Sequence, residues 1–214
     1  TNIRDLIKYK SFYTNSNYGI KDLLIFKNYM YFSFNREVKK DCYNTSILRA
    51  KLNYENLIFE EFFYPDECVD SNKENGFTPH SAGGRLVGYN DKIIFSNGEY
   101  LERLAAQDLN SILGKILLLD PLKPNTYDII SAGHRNVQGL YFDEAYNALV
   151  STEHGPMGGD EVNANIDLNK KIINFGWPIS SYGEHYNLDP VINAYHPLYI
   201  LAPLHKSHKK YGFQ

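Results

Sequence analysis

Gly133-His134-Arg135-Asn136-Val137-Gln138-Gly139-Leu140 is the stretch on which the reading of this chain turns. The apolar pair Ile129-Ile130 leads in and Leu140-Tyr141-Phe142 leads out, so the stretch reads as a loop between two strands. It gathers a guanidinium, two amides and an imidazole. A guanidinium offers paired donors, while Asn and Gln both donate and accept, so the set suits a planar, oxygen-rich anionic ligand. Taken singly, such a loop is better read as a turn with polar punctuation. Two further dense stretches follow in order, Thr152-Glu153-His154-Gly155-Pro156-Met157-Gly158-Gly159-Asp160-Glu161 and Asn174-Phe175-Gly176-Trp177-Pro178. Three in sequence are harder to dismiss.

Working outward, strand pairs recur. Residues 22–34 read as a hairpin turning at Lys27-Asn28; Arg85 to Tyr89 and Lys92 to Ser96 form a second, turning at Asn90-Asp91. Gln138 to Phe142 and Ala148 to Thr152 form a third. Ser46 to Leu52 and Leu57 to Phe63 add two strands, and Lys115 to Leu119 another. The three hairpins repeat at intervals of about 50–60 residues, each followed by a polar loop, a period that fits propeller blades. Periodicity alone equally allows a β-sandwich. Leu101 to Leu113 has imperfect helical spacing and reads equally as a structured loop. Residues 1–19 carry no clear element.

The 214 residues are 43% hydrophobic and 22% charged, ordinary for one globular domain, here taken as 1–214. Net charge is -3 with both signs interspersed, so nucleic acid is not an expected partner. The Lys206, His208, Lys209, Lys210 cluster reads as a solvated loop. No apolar run approaches the roughly 20 residues that cross a bilayer. The 18 Tyr and 12 Phe favour strands. Gly158-Gly159 lacks a following Lys-Ser/Thr, and no Gly-x-Gly-x-x-Gly occurs, which disfavours nucleotide cofactors.

From Thr78 to Tyr186 the chain resembles the soluble quinoprotein glucose and aldose sugar dehydrogenases, the glucose/sorbosone dehydrogenase family. The resemblance rests on His80, Gly84-Arg85-Leu86, Gln107, Gly114-Lys115-Ile116, Gly133 to Leu140, Glu153 to Glu161 and Asn174 to Pro178. It implies an all-β, six-bladed β-propeller carrying pyrroloquinoline quinone (PQQ) held by calcium. Six blades of about 40–50 residues need roughly 240–300 residues, so the chain is expected to be an internal piece with an incomplete set of blades. The implied reaction is oxidation of an aldose C1 hydroxyl to the lactone. Hydride passes to the quinone, and the electrons then leave to an external acceptor.

The resemblance also distributes roles. His80 is the expected general base, suited by a pKa near neutrality; without the resemblance it reads as a surface loop histidine. The family usually has one residue fewer between this His and Arg85. Glu99 stands where the family carries Asp and is either the carboxylate that orients His80 or an exposed acid. Arg135 would stabilise charge developing on the quinone, and Asn136 and Gln138 would orient the cofactor. Gly155 and Pro156 match carbonyl ligands of the calcium, an ion that favours oxygen in flexible geometry. Glu161, with Asp160, is a candidate for a further calcium or a plain acidic turn.

Cys42 and Cys68 lack close metal-like partners, so zinc is not expected. On the residues alone, a disulfide and two unlinked thiols stand equal; the resemblance favours the disulfide. It would stabilise by roughly 3 kcal/mol and imply a periplasmic or secreted address. Two rivals remain: a non-catalytic propeller binding module, since fold does not dictate function, and a calcium-dependent lactonase or hydrolase propeller.

Overall fold

The computed structural model describes residues 1–6, 19–73, 76–166, 168 and 171–181. The basic cluster at 206–210 and the end of the resemblance at Tyr186 lie outside them. Among the described residues, strands form three sheets. The first runs β1 (Ile20–Phe26), β2 (Tyr29–Lys39), β3 (Cys42–Lys51), β4 (Phe59–Phe63), with β5 (Val69–Asp70) also on β3. The second runs β6 (Gly83–Tyr89), β7 (Lys92–Asn97), β8 (Lys115–Leu119), β9 (Tyr127–Ala132). The third runs β10 (Val137–Asp143), β11 (Ala148–Glu153), β12 (Glu161–Asn165), and the short β13 (Ile173–Asn174) returns to pair in parallel with β9.

Each expected hairpin opens its own sheet. Lys27, Asn28 and Asn90 take positive φ of 46°, 63° and 52°, the backbone that tight two-residue hairpin turns require. The first strands meet, since β6 packs against both β1 and β10. The sheets therefore stand side by side around their first strands, as consecutive blades of an incomplete β-propeller. A face-packed sandwich is excluded for these residues.

The packing explains why Ile93-Ile94-Phe95 is apolar on both faces. Side chains alternate across a strand. Ile93 and Phe95 join Tyr31, Ile47, Phe62 and Phe63 of the first blade. Ile94 joins Val137 and Leu149 of the third. Each such side chain, fully buried, stabilises by about 1.5–3 kcal/mol.

Some boundaries differ from expectation. Strand β3 begins at Cys42, because the polar run Asn44-Thr45-Ser46 is buried and satisfied: Asn44 donates to the carbonyls of Pro65 and Glu67, and Thr45 to that of Ala82. Residues Ile3–Leu6 form one helical turn. Within 101–113 only Arg103–Gln107 is helical, as a 3-10 turn, and Leu104 and Leu109 face solvent. Cys42 and Cys68 are joined by a disulfide with Cα atoms 5.4 Å apart. No helix among the described residues is long and apolar enough to cross a membrane.

Candidate active site

Four loops lie edge to edge at one end of the blades, stitched by main-chain hydrogen bonds. His80 sits in a 3-10 turn, Pro79–Ser81, which starts at Thr78, whose side chain accepts from the His80 amide. The carbonyls of Ser81 and Ala82 accept from Tyr100 and Gly98 at 3.0 and 2.9 Å, so Gly98-Glu99-Tyr100 runs alongside. The Glu99 amide donates to the Arg135 carbonyl at 3.1 Å, bringing in the third loop. The fourth joins where the His154 amide donates to the Asn136 carbonyl at 3.1 Å and Arg135 Nη1 to the His154 carbonyl at 2.8 Å. Gly83 and Gly84, with φ of 62° and 103°, follow the His80 turn where the β6–β7 register shifts.

Arg135 is held from several sides. Its guanidinium lies 5.5 Å from the Trp177 ring centre, a cation–π distance. Trp177 is placed there because its amide donates to the Gly133 carbonyl and its carbonyl accepts from Gln107 Nε2 at 2.6 Å. Gln107 and Asn174 also bond each other through their amides. Beneath the loop, the buried Glu153 carboxylate accepts from the amides of Arg135 and Asn136 and from Asn163 Nδ2, and meets His134 Nδ1 at 3.0 Å. Burial alone would raise Glu153, but His134 and the two amides outweigh it and hold the carboxyl below its ordinary value.

Glu99 is the odd member. Its side chain is fully buried, and among the described residues its two oxygens make no hydrogen bond of normal geometry, to His80 or to any other group. Burial pushes the carboxyl up to about 7; Arg135, Arg103 and the Leu101 amide pull it down without offsetting this, and Glu102 adds to the rise. His80, in contrast, is exposed. The sequence offered an orienting carboxylate or a solvated one, and Glu99 occupies a third situation, a buried acid without a hydrogen bond of normal geometry among the described residues.

Asn136 and Gln138 are built into the scaffold. Asn136 Oδ1 accepts from the Gly83 amide at 3.1 Å and from Gln138 Nε2 at 2.7 Å, and Gln138 Oε1 accepts from Arg85 at 3.2 Å. The Gly155-Pro156 turn is buried and folds back on itself. Gly155 donates to Asp160 Oδ1 at 3.1 Å and the Pro156 carbonyl accepts from Gly159 at 2.8 Å. The His154 ring and the Gly155 amide hold Asp160 below its usual range. Glu161 opens β12 and accepts from Asn163 at 3.2 Å. Among the described residues no three His, Cys, Asp or Glu side chains form a metal cage. The oxygen donors at this turn are its main-chain carbonyls and the Asp160 carboxylate.

A cleft of about 250 Å³ opens here between Gln138, Thr152, Glu153, His154, Asp160 and Glu161. A larger one, about 350 Å³, lies over the Cys42–Cys68 bridge and contains none of the expected site residues. Sequence reasoning counted the His134 imidazole only within the loop's ligand-binding set and assigned no role to Glu153 or Trp177. The one available signal was Glu153 itself, an acid at the end of a strand and two residues before Gly155.

The sequence matches the family described as Glucose / Sorbosone dehydrogenase over residues 10–206. It is 36% identical over 126 residues to the aldose sugar dehydrogenase YliI of Escherichia coli K12, covering 51% of this chain and 32% of that protein. The crystal structure of the soluble aldose sugar dehydrogenase from Escherichia coli, in its apo form, superposes with a TM-score of 0.67 at 26% identity. That match covers 83% of this chain and 54% of the other. The PQQ-bound aldose sugar dehydrogenase from Streptomyces coelicolor gives 0.58 at 22% identity, covering 82% and 52%. The chain thus spans about half the length of these solved structures and matches about a third of the curated relative.

Proposed function

The chain belongs to the glucose/sorbosone dehydrogenase family, and from that premise we propose that the protein containing it oxidises an aldose at the C1 hydroxyl to the lactone, using PQQ and calcium. The observation that carries this reading is the stitched row of loops, which places the Arg135 guanidinium, the His80 turn, Glu99 and the Gly155-Pro156 turn side by side. Residues 1–214 then belong to one partial propeller domain.

The residues fit such a group. The Arg135 guanidinium is fixed by Trp177 and the His154 carbonyl, so it supplies preorganised positive charge beside a developing oxyanion. The exposed His80 imidazole is free to take the sugar hydroxyl proton. Gly155 and Pro156 offer carbonyls to calcium, Pro156 through its second lone pair, and Glu161 stands close in sequence for a further ion. Asn136 and Gln138 act first by bracing the loop and second through the remaining amide hydrogens of their side chains. When bound, the quinone supplies the hydride acceptor and calcium polarises it.

Electrons would leave to an external acceptor. The Cys42–Cys68 disulfide supports a periplasmic or secreted address. One rival draws on an observation: Glu99 is not bonded to His80, as a sugar-binding propeller without turnover would allow. The test is to add PQQ and calcium to the full-length protein, then follow quinone absorbance and aldose-dependent dye reduction. Cofactor uptake without dye reduction by any aldose would favour the binding module.

A further inference from the structure

Lys21, on the innermost strand of the first blade, reaches into the second blade at the point where His80 is carried. Its Nζ donates to the Pro79 carbonyl at 2.9 Å, the residue directly before His80. Its own carbonyl accepts from Arg85 Nη1 at 3.0 Å. Its stem lies across Gly84 so closely that a Cβ there would come within 2.5 Å of Lys21 Cβ. One residue therefore grips β6 on both sides of its start. Pro79 is buried, so its carbonyl needs a donor, and a three-residue 3-10 turn supplies few internal bonds.

The location is a costly one for a cation. Burial and the nearby Arg85 lower the Lys21 ammonium to about 8. A leucine or methionine would cover Gly84 without that cost, but it would leave the Pro79 carbonyl without this donor.

We propose that Lys21 is a positioning residue for His80, its ammonium clamping the Pro79–Ser81 turn so that the imidazole is held in one place over the cleft end of the blades. The inference rests on His80 being the base, and the experiment separates the two. In apo full-length protein, Lys21→Met should speed amide exchange at His80 and Ser81 at least tenfold, with amides of β8 unchanged. Lys21→Arg should restore protection. With PQQ and calcium, Lys21→Met should lower kcat on the order of 10²-fold, as expected for a displaced catalytic group. KM for the sugar should stay within about twofold. Exchange at 80 and 81 unchanged in a folded Lys21→Met or Lys21→Gln protein overturns the clamp. Faster exchange with full kcat overturns its role in turnover. Full turnover in His80→Ala overturns the base assignment and the positioning role with it, and the exchange result then still decides whether the clamp exists.

Discussion

The Nδ1 of His134 lies 3.0 Å from Oε1 of Glu153, with both side chains buried inside the third blade's entry loop. On its other side the His134 ring meets Ser131 Oγ at 2.7 Å. Serine, histidine and carboxylate in that order resemble a hydrolase triad, but Ser131 is inaccessible and no substrate can reach it. The network instead shapes the loop that presents Arg135, because the same carboxylate accepts the amides of Arg135 and Asn136.

Glu153→Gln should therefore destabilise the protein at neutral pH by about 1.5–3 kcal/mol, the range for a hydrogen bond to a charged group. The sign with pH follows from the lowered carboxyl. Its contribution is present above the unfolded value of 4.5 and is lost as pH falls through the lower native value. Denaturant unfolding of both proteins at pH 7 and at pH 3–4 checks this. Equal midpoints at pH 7 would remove Glu153 from the centre of the loop.

Glu99 should show the opposite trend. Its native carboxyl sits near 7 against 4.5 unfolded. Below 4.5 both states are protonated and nothing is lost. Between 4.5 and 7 the unfolded chain ionises first, and native stability falls by about 3 kcal/mol. Above 7 the loss is complete. The stability of Glu99→Gln relative to the parent should rise by that amount from pH 4 to pH 8, whatever fixed cost the buried amide adds. A flat difference across this range would mean that Glu99 ionises normally.

The blades were legible because their hairpins announce themselves locally. Lys27-Asn28 and Asn90-Asp91 separate runs of strand-forming residues, and their backbones turn as two-residue hairpins do. What escaped was decided at long range. Strand β3 hides its first four residues behind Asn44 and Thr45, whose polarity is met by carbonyls more than 20 residues away in sequence. Leu101 to Leu113 has leucines at helical spacing, yet Leu104 and Leu109 point outward and the chain only turns once. In the site, Arg135 and the Gly155 turn were readable as types. Glu153 below them and the burial of Glu99 depend on how the blades meet.

The His80 and Glu99 loops touch at Gly98, and this contact tolerates no side chain. A Cβ at Gly98 would overlap the Ser81 carbonyl oxygen and stand 2.6 Å from the Ala82 carbonyl carbon, both backbone atoms. Gly98→Ala should cost about 3 kcal/mol or more, since the strain cannot be relieved by a rotamer change. Thermal unfolding measures the loss, and melting at the parent temperature would show that the loops do not sit this close.

His80 and Arg135 should fail in different ways, because one is exposed and lightly held while the other is woven into the site. In full-length protein with PQQ and calcium, His80→Ala should lose about 10²–10⁴-fold in kcat, the usual contribution of a general base. Cofactor affinity should be unchanged, since among the described residues no hydrogen bond ties the exposed His80 ring to the Arg135 or Gly155 loops. Arg135→Ala removes a fixed charge, its bond to the His154 carbonyl and its cover over Trp177. Both cofactor binding and turnover should fall. Arg135→Lys should recover part of the binding but little of the rate, because an ammonium keeps the charge without the planar fork. Quinone absorbance reports binding and dye reduction reports turnover. Unchanged sugar oxidation in His80→Ala would remove the base from this reading, and unchanged cofactor affinity in Arg135→Ala would move the quinone away from the loop.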